Sequence, residues 1–188
     1  MLNRLRKLRR DNRGVAAIEF ALLLPMLIAL LIGCLEVTFK IWSTQKAEKL
    51  AVTLSDVVAQ ATAVTNSDLA SLIGATDKIM DPFPFGANDG KIIISSVYVA
   101  QGEEDAVVHW QCFFPSTGGL TAASKLGVKD AVADMPDGFT LVEKDNVIVT
   151  EIFYRYEPIA PGLLFDESIV YRRALFKPRL GTLLVNPC

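Results

Sequence analysis

The residues whose pattern suggests chemistry are Arg13-Gly14-Val15-Ala16-Ala17-Ile18-Glu19-Phe20. A glycine stands between a cationic stretch and an apolar one, and a lone acid follows five positions later. Gly14 has no side chain, which is what a protease needs in order to bind the backbone in an extended form at that point. A cut after Gly14 leaves Val15 as the new amino terminus and Glu19 as its fifth residue. The chemistry would be hydrolysis of this chain by another protein, followed by pairing of the freed amine with a carboxylate. An unpaired carboxylate inside lipid costs about 2.5–3.5 kcal/mol on insertion scales, so Glu19 is expected to have a partner. The Val15 amine, on the same chain or a neighbouring one, qualifies and exists only after the cut. The other reading, a solvated acid at the headgroup level, stays open because Glu19 lies so near the start of the run.

The element that positions these residues is the run from Gly14 to Leu35, GVAAIEFALLLPMLIALLIGCL, in which Glu19 carries the only charge. About 20 residues at about 1.5 Å each cross a hydrocarbon layer of roughly 30 Å. Arg4, Arg6, Lys7, Arg9, Arg10 and Arg13 precede it, and basic residues beside a span stay on the cytoplasmic side. The expected organisation is a cytoplasmic basic leader at 1–14, a transmembrane helix at 15–35 and an extracytoplasmic α+β domain at 36–188. Without its first 14 residues the chain keeps 13 basic and 20 acidic residues. That balance argues against a nucleic-acid partner. A secretory signal peptide would be cut after the apolar run, and no A-x-A pattern follows Leu35.

Helical spacing continues beyond the span. Glu36, Lys40, Lys46, Glu48 and Lys49 mark a return to water, while Leu50, Leu54, Val57, Val58 and Ala61 recur at intervals of three and four. One long helix from Val15 to about Thr62 is expected, kinked or loosened at Pro25. A short helix should follow, capped by Asn66 or Ser67, running to about Ile79 and closed by Pro82 and Pro84. The pattern then turns to strands at Lys91 to Ala100, Val107 to Phe114, Asn146 to Tyr156 and Ser168 to Phe176. The first two should form a hairpin. Pro115 to Gly138, with four glycines and two prolines, reads as an irregular excursion. The fold class is α+β: a long N-terminal helix, its first half transmembrane, packed on a small antiparallel sheet of about four strands.

Other constellations are weaker. If the body lies outside the cytoplasm, Cys112 and Cys188 could close a long loop by a disulfide, with Cys34 too deep to join them. Cysteine spacing matches no zinc pattern, and His109 is the single histidine. Leu31-Ile32-Gly33-Cys34 matches a lipobox, but the stretch before it carries Glu19 and Pro25 and no flexible tether follows. Glu103-Glu104-Asp105 reads as a solvated link without EF-hand spacing. Ser95, Ser96 and His109 lie in strand patterns with no glycine motif to build an oxyanion hole. The aromatics Tyr98, Trp110, Phe113, Tyr154 and Tyr156 read as sheet packing. No catalytic residues, metal ligands or cofactor are assigned.

The basic leader, Gly14, Glu19 at the fifth position after it and the apolar helix resemble the prepilin leader of type IV pilin-like proteins. More narrowly, RRDNRGVAAIEFALLLPMLIALLIGCLEV resembles the opening of TadE-like proteins of the tight-adherence (Tad, or Flp) pilus system. The layout of the remaining chain, through Tyr154-Arg155-Tyr156 to Lys177-Pro178-Arg179, is similar too. The resemblance implies a pseudopilin or minor pilin, not an enzyme, cut between Gly14 and Val15 by an inner-membrane prepilin peptidase. It implies Glu19 and Phe20 in assembly, with other pilins and platform proteins of the inner membrane as partners. The chain would be held there by a single pass, N-terminus cytoplasmic, with its domain periplasmic or carried into the pilus. The alternative is a single-pass or lipid-anchored envelope protein whose outer domain binds a ligand.

Overall fold

A computed structural model of the 188-residue chain describes residues 14–162 and 164–188. The basic leader lies outside the described residues except for Gly14. The chain divides into two compact units, Met1–Phe39 with Pro158–Asp166, and Lys40–Glu157 with Glu167–Cys188.

Helix α1 runs Val15–Ala59 and continues through Pro25. It ends slightly short of the expected Thr62 because its last turn tightens. Gln60 N–H is shared between the Asp56 carbonyl at 3.1 Å and the Val57 carbonyl at 3.3 Å, and Ala61 donates to the Val58 carbonyl, closing a shorter ring than the helical ladder. In the second unit α1 buries Ala47, Leu50, Ala51, Leu54, Val58 and Ala59. Two residues expected on this stripe fall outside it. Val57 lies at its edge and is 40% exposed, and Ala61, beyond the helix end, is half-buried.

The expected second helix is two, α2 (Asn66–Ile73) and α3 (Thr76–Met80), with Gly74 closing the first. Its cap is Thr65, not Asn66 or Ser67. The Thr65 hydroxyl accepts from Asp68 N–H at 3.3 Å, and the Asp68 carboxylate accepts from Thr65 N–H at 3.0 Å. This reciprocal arrangement satisfies donors that a helix start otherwise leaves unpaired.

Strands β1 (Gly90–Tyr98), β2 (Val107–Phe114), β3 (Asn146–Tyr156) and β4 (Ser168–Phe176) form one antiparallel sheet in the order β2-β1-β3-β4. β1 stops before the expected Ala100 because Val99 leaves the ladder and donates to the Asp145 carbonyl. The central β3 is buried at nearly every position. Since side chains alternate across a strand, both faces of the sheet must be covered.

Even-numbered residues of β3 and β4 meet α1. Lys40 bonds to Ser168 and lies over the Tyr156 ring, while Phe83 sits edge-on between Trp42 and Tyr154. Ser55 donates to the Ala174 carbonyl at 3.1 Å, and Arg179 pairs with Asp56 at 2.7 Å. The C-terminal segment covers the rest of this face. The Leu183 carbonyl accepts from Ser96 Oγ and Trp110 Nε1, both at 2.9 Å, and its N–H donates to Asn146 Oδ1 at 2.8 Å.

Odd-numbered residues face the irregular 115–145 segment. Val97, Val147 and Val149 pack with Leu126 and Ala133, and Ile93 and Phe153 pack with Leu120. Gly119, at φ +75°, is needed here, because a Cβ on it would come within 2.3 Å of the Ala87 carbonyl oxygen. Glu151, fully buried, pins the cover. It accepts from Lys125 N–H at 2.8 Å and Tyr171 OH at 2.9 Å, and bonds to Ser124 Oγ. Replacing one member of such a set strands buried donors, at about 1.5–3 kcal/mol for bonds to a charged group. Glu151→Ala should therefore destabilise the chain by about 3 kcal/mol, read as a lower urea midpoint in detergent micelles.

Burial, together with the Asp89 and Glu157 charges, pushes the Tyr154 phenol up to about 12. Burial and Glu151 raise Tyr171 further. Each folded phenol holds its proton more tightly than an unfolded one. The associated stability is complete below pH of about 10 and is lost as pH rises toward 12. Alkaline denaturation followed with phenolate absorbance should show Tyr154 ionising late, together with loss of structure, and Tyr171→Phe should reduce the slope.

Candidate functional site

The site is built at the start of α1. Gly14 precedes the helix, Val15 is its first residue, and Glu19 stands one turn on, on the same face as Val15. Val15 is 49% exposed and Phe20 59%. Every residue from Gly14 to Leu31 is exposed, Glu19 included. Among the described residues none donates a hydrogen bond to Glu19. The most apolar 18-residue window of the helix has a mean hydropathy of 2.6 and none of it is buried. An apolar surface of that extent requires lipid or other helices around it.

Gly14 has no packing reason to be glycine. A Cβ added there meets nothing within 4 Å, and its φ lies outside the left-handed region. Neither crowding nor backbone strain within the described residues excludes a side chain at this position.

The structure joins Cys112 to Cys188, with Cα atoms 5.9 Å apart, and leaves Cys34 free and exposed. Cys34 lies inside α1, which runs on for another 25 residues, so no tether follows the lipobox-like Leu31-Cys34. Ser95 Oγ accepts from Gln111 at 3.1 Å, and Ser96 is bound to Leu183 and Asn146. Both serines therefore serve the sheet, and His109 is exposed. Glu103, Glu104 and Asp105 are exposed in the β1–β2 connection. Among the described residues no three His, Cys, Asp or Glu side chains group as metal ligands.

One acid has a different place from the expected one. Glu36 reads in the sequence as a return to water, yet it is fully buried. Its carboxylate accepts from Ile159 N–H at 3.1 Å and Ala160 N–H at 3.3 Å. The signal that could have found it is an acid directly after the apolar run together with a distant charge-free stretch, Pro158 to Phe165.

An unburied apolar N-terminal helix and a packed α+β body define a membrane-anchored, single-pass protein. Residues 14–53 match the TadE family model, described as TadE-like protein. The match begins on Gly14, ends inside α1, and points to the Tad pilus system. No curated protein and no solved structure matches the chain.

Because Gly14 and Glu19 touch little within the fold, Gly14→Leu and Glu19→Ala should each leave its stability within about 0.5 kcal/mol of the parent. Thermal melts in detergent, followed by circular dichroism, check this.

Proposed function

We propose that this chain is a pilin-like component, a pseudopilin or minor pilin, of Tad-type pilus assembly, and that a prepilin peptidase cuts it between Gly14 and Val15. The observation that carries the reading is Gly14 itself. It is a glycine that neither packing nor φ requires, it opens an unburied apolar helix, and it is where the TadE-like match begins. The role is structural: the chain is a substrate of processing and performs no reaction of its own. Its basic leader stays in the cytoplasm, α1 crosses the inner membrane, and the α+β body lies on the extracytoplasmic side, where a Cys112–Cys188 disulfide can persist.

Glu19 supplies assembly with a reference point. Before the cut no amine lies near it; afterwards the Val15 amine is available on this chain or on an adjacent subunit. Pairing across subunits, beside Phe20, sets the axial register of helices drawn from the membrane. Other pilins and inner-membrane platform proteins are the partners. The body is too elaborate for a minimal filament subunit, which favours a minor or priming position.

Co-expression with a prepilin peptidase, followed by amino-terminal sequencing, should give a chain beginning VAAIE, and Gly14→Leu should remain uncut. An intact Met1 terminus would leave only an anchored envelope protein. Glu19→Ala should insert normally but lower pilus yield several-fold, and an undiminished yield would remove Glu19 from assembly.

A further inference from the structure

The first compact unit joins two stretches far apart in sequence, the front of α1 and the loop Pro158–Asp166. Glu36 holds the loop by the Ile159 and Ala160 N–H groups. At Gly33, three residues before Glu36, Leu164 lies against the helix, its Cδ1 3.2 Å from where a Cβ on that glycine would stand. These anchor points fix the depth of the loop. From Val15 to Gly33 the helix rises about 27 Å and to Glu36 about 31 Å, against a hydrocarbon layer of roughly 30 Å. A span entering at Val15 therefore leaves the apolar layer where the loop is attached.

The loop is suited to that depth. From Pro158 to Phe165 it carries no charge, and Ile159 and Leu164 are 60% and 54% exposed. Its backbone donors are also accounted for through its first half. Pro158 and Pro161 have no N–H, Ile159 and Ala160 donate to Glu36, and Gly162, at φ +80°, donates to the Phe165 carbonyl at 3.2 Å. Non-helical backbone is costly in apolar surroundings because unpaired N–H groups lose water. That cost is met for the donors of the first half of the loop, and Glu36 takes protein donors in place of water.

We infer that Pro158–Asp166 is a second membrane contact, a loop seated in the lipid interface beside the exit of α1, with Ile159 and Leu164 turned toward acyl chains. The occupant of this apolar surface is the bilayer, because the surface is continuous with a helix face that itself needs lipid. The inference rests on the membrane crossing of α1 and not on a role in the pilus.

The test uses the full chain with Cys34→Ser, reconstituted in vesicles of phosphatidylethanolamine and phosphatidylglycerol. Nitroxide labels are placed singly at Ile159→Cys, Leu164→Cys, Leu27→Cys in the span and Val128→Cys on an exposed loop of the body. Accessibility to oxygen and to a water-soluble nickel chelate is then read. The inference expects an oxygen-to-chelate ratio at 159 and 164 several-fold above that at 128 and approaching that at 27. Chelate access at 159 and 164 equal to that at 128 would overturn it. So would exclusion of both reagents, which would mean that protein covers the loop. If Leu27 itself is open to chelate, the membrane crossing fails and this inference with it. If Leu27 is in lipid and the loop is not, the inference fails alone.

Discussion

The structure depends on one unmet requirement: the first half of α1 exposes an apolar surface that nothing else in the described chain covers. Water penalises such a surface in proportion to its area, at about 25 cal/mol per Å². The stretch is long enough to match a bilayer, and its single acid sits within the first turns. Lipid can meet the requirement, and so can a bundle of like helices. A helix that passes from one to the other exchanges apolar contact for apolar contact, so the transfer need not be uphill in hydrophobic terms.

The second half of the same helix meets the opposite condition. Its stripe from Ala47 to Val58 is covered within the body. The sheet it helps to cover is closed on its other face by a segment with almost no regular structure, which Glu151 ties down through its donors. The C-terminal segment, fixed by Leu183 and by the Cys112–Cys188 link, completes the helix-side face. β3 is thus central in both senses, paired on each edge and buried on each side.

Periodicity made much of this legible. The α+β class, the long helix and four antiparallel strands follow from repeats of 3.6 and 2, and three of the strands begin and end where the sequence places them. What escaped depends on partners distant along the chain. Thr65 takes the cap because Asp68 can reciprocate, a choice that nearby Asn66 and Ser67 disguise. Glu36 is separated from Ile159 by 123 residues, and no local pattern distinguishes an acid meeting water from one meeting backbone N–H groups. The order β2-β1-β3-β4 and the burial of Glu151 are likewise products of tertiary pairing. At the site, the residue types and spacing from Gly14 to Phe20 were readable, and the structure adds that the fold itself does not account for Gly14.

Two acids bracket the apolar run, and the contrast between them orders the rest. Glu36, at the far end, has its side-chain oxygens met by backbone N–H groups of its own chain, and so holds a loop in place. Glu19, at the near end, is exposed and receives no donor from any described residue, so its state depends on what arrives. In lipid an unmet carboxylate is a cost, and in contact with a freed amine it becomes an attraction that is strong because the surroundings are apolar. An acid left unmet by its own fold keeps free energy to gain from a partner outside it. An acid already satisfied, such as Glu36, has no comparable gain to offer. The same residue type thus meets opposite conditions on one helix: Glu36 is buried and held by its own chain, and Glu19 is exposed to whatever surrounds the span.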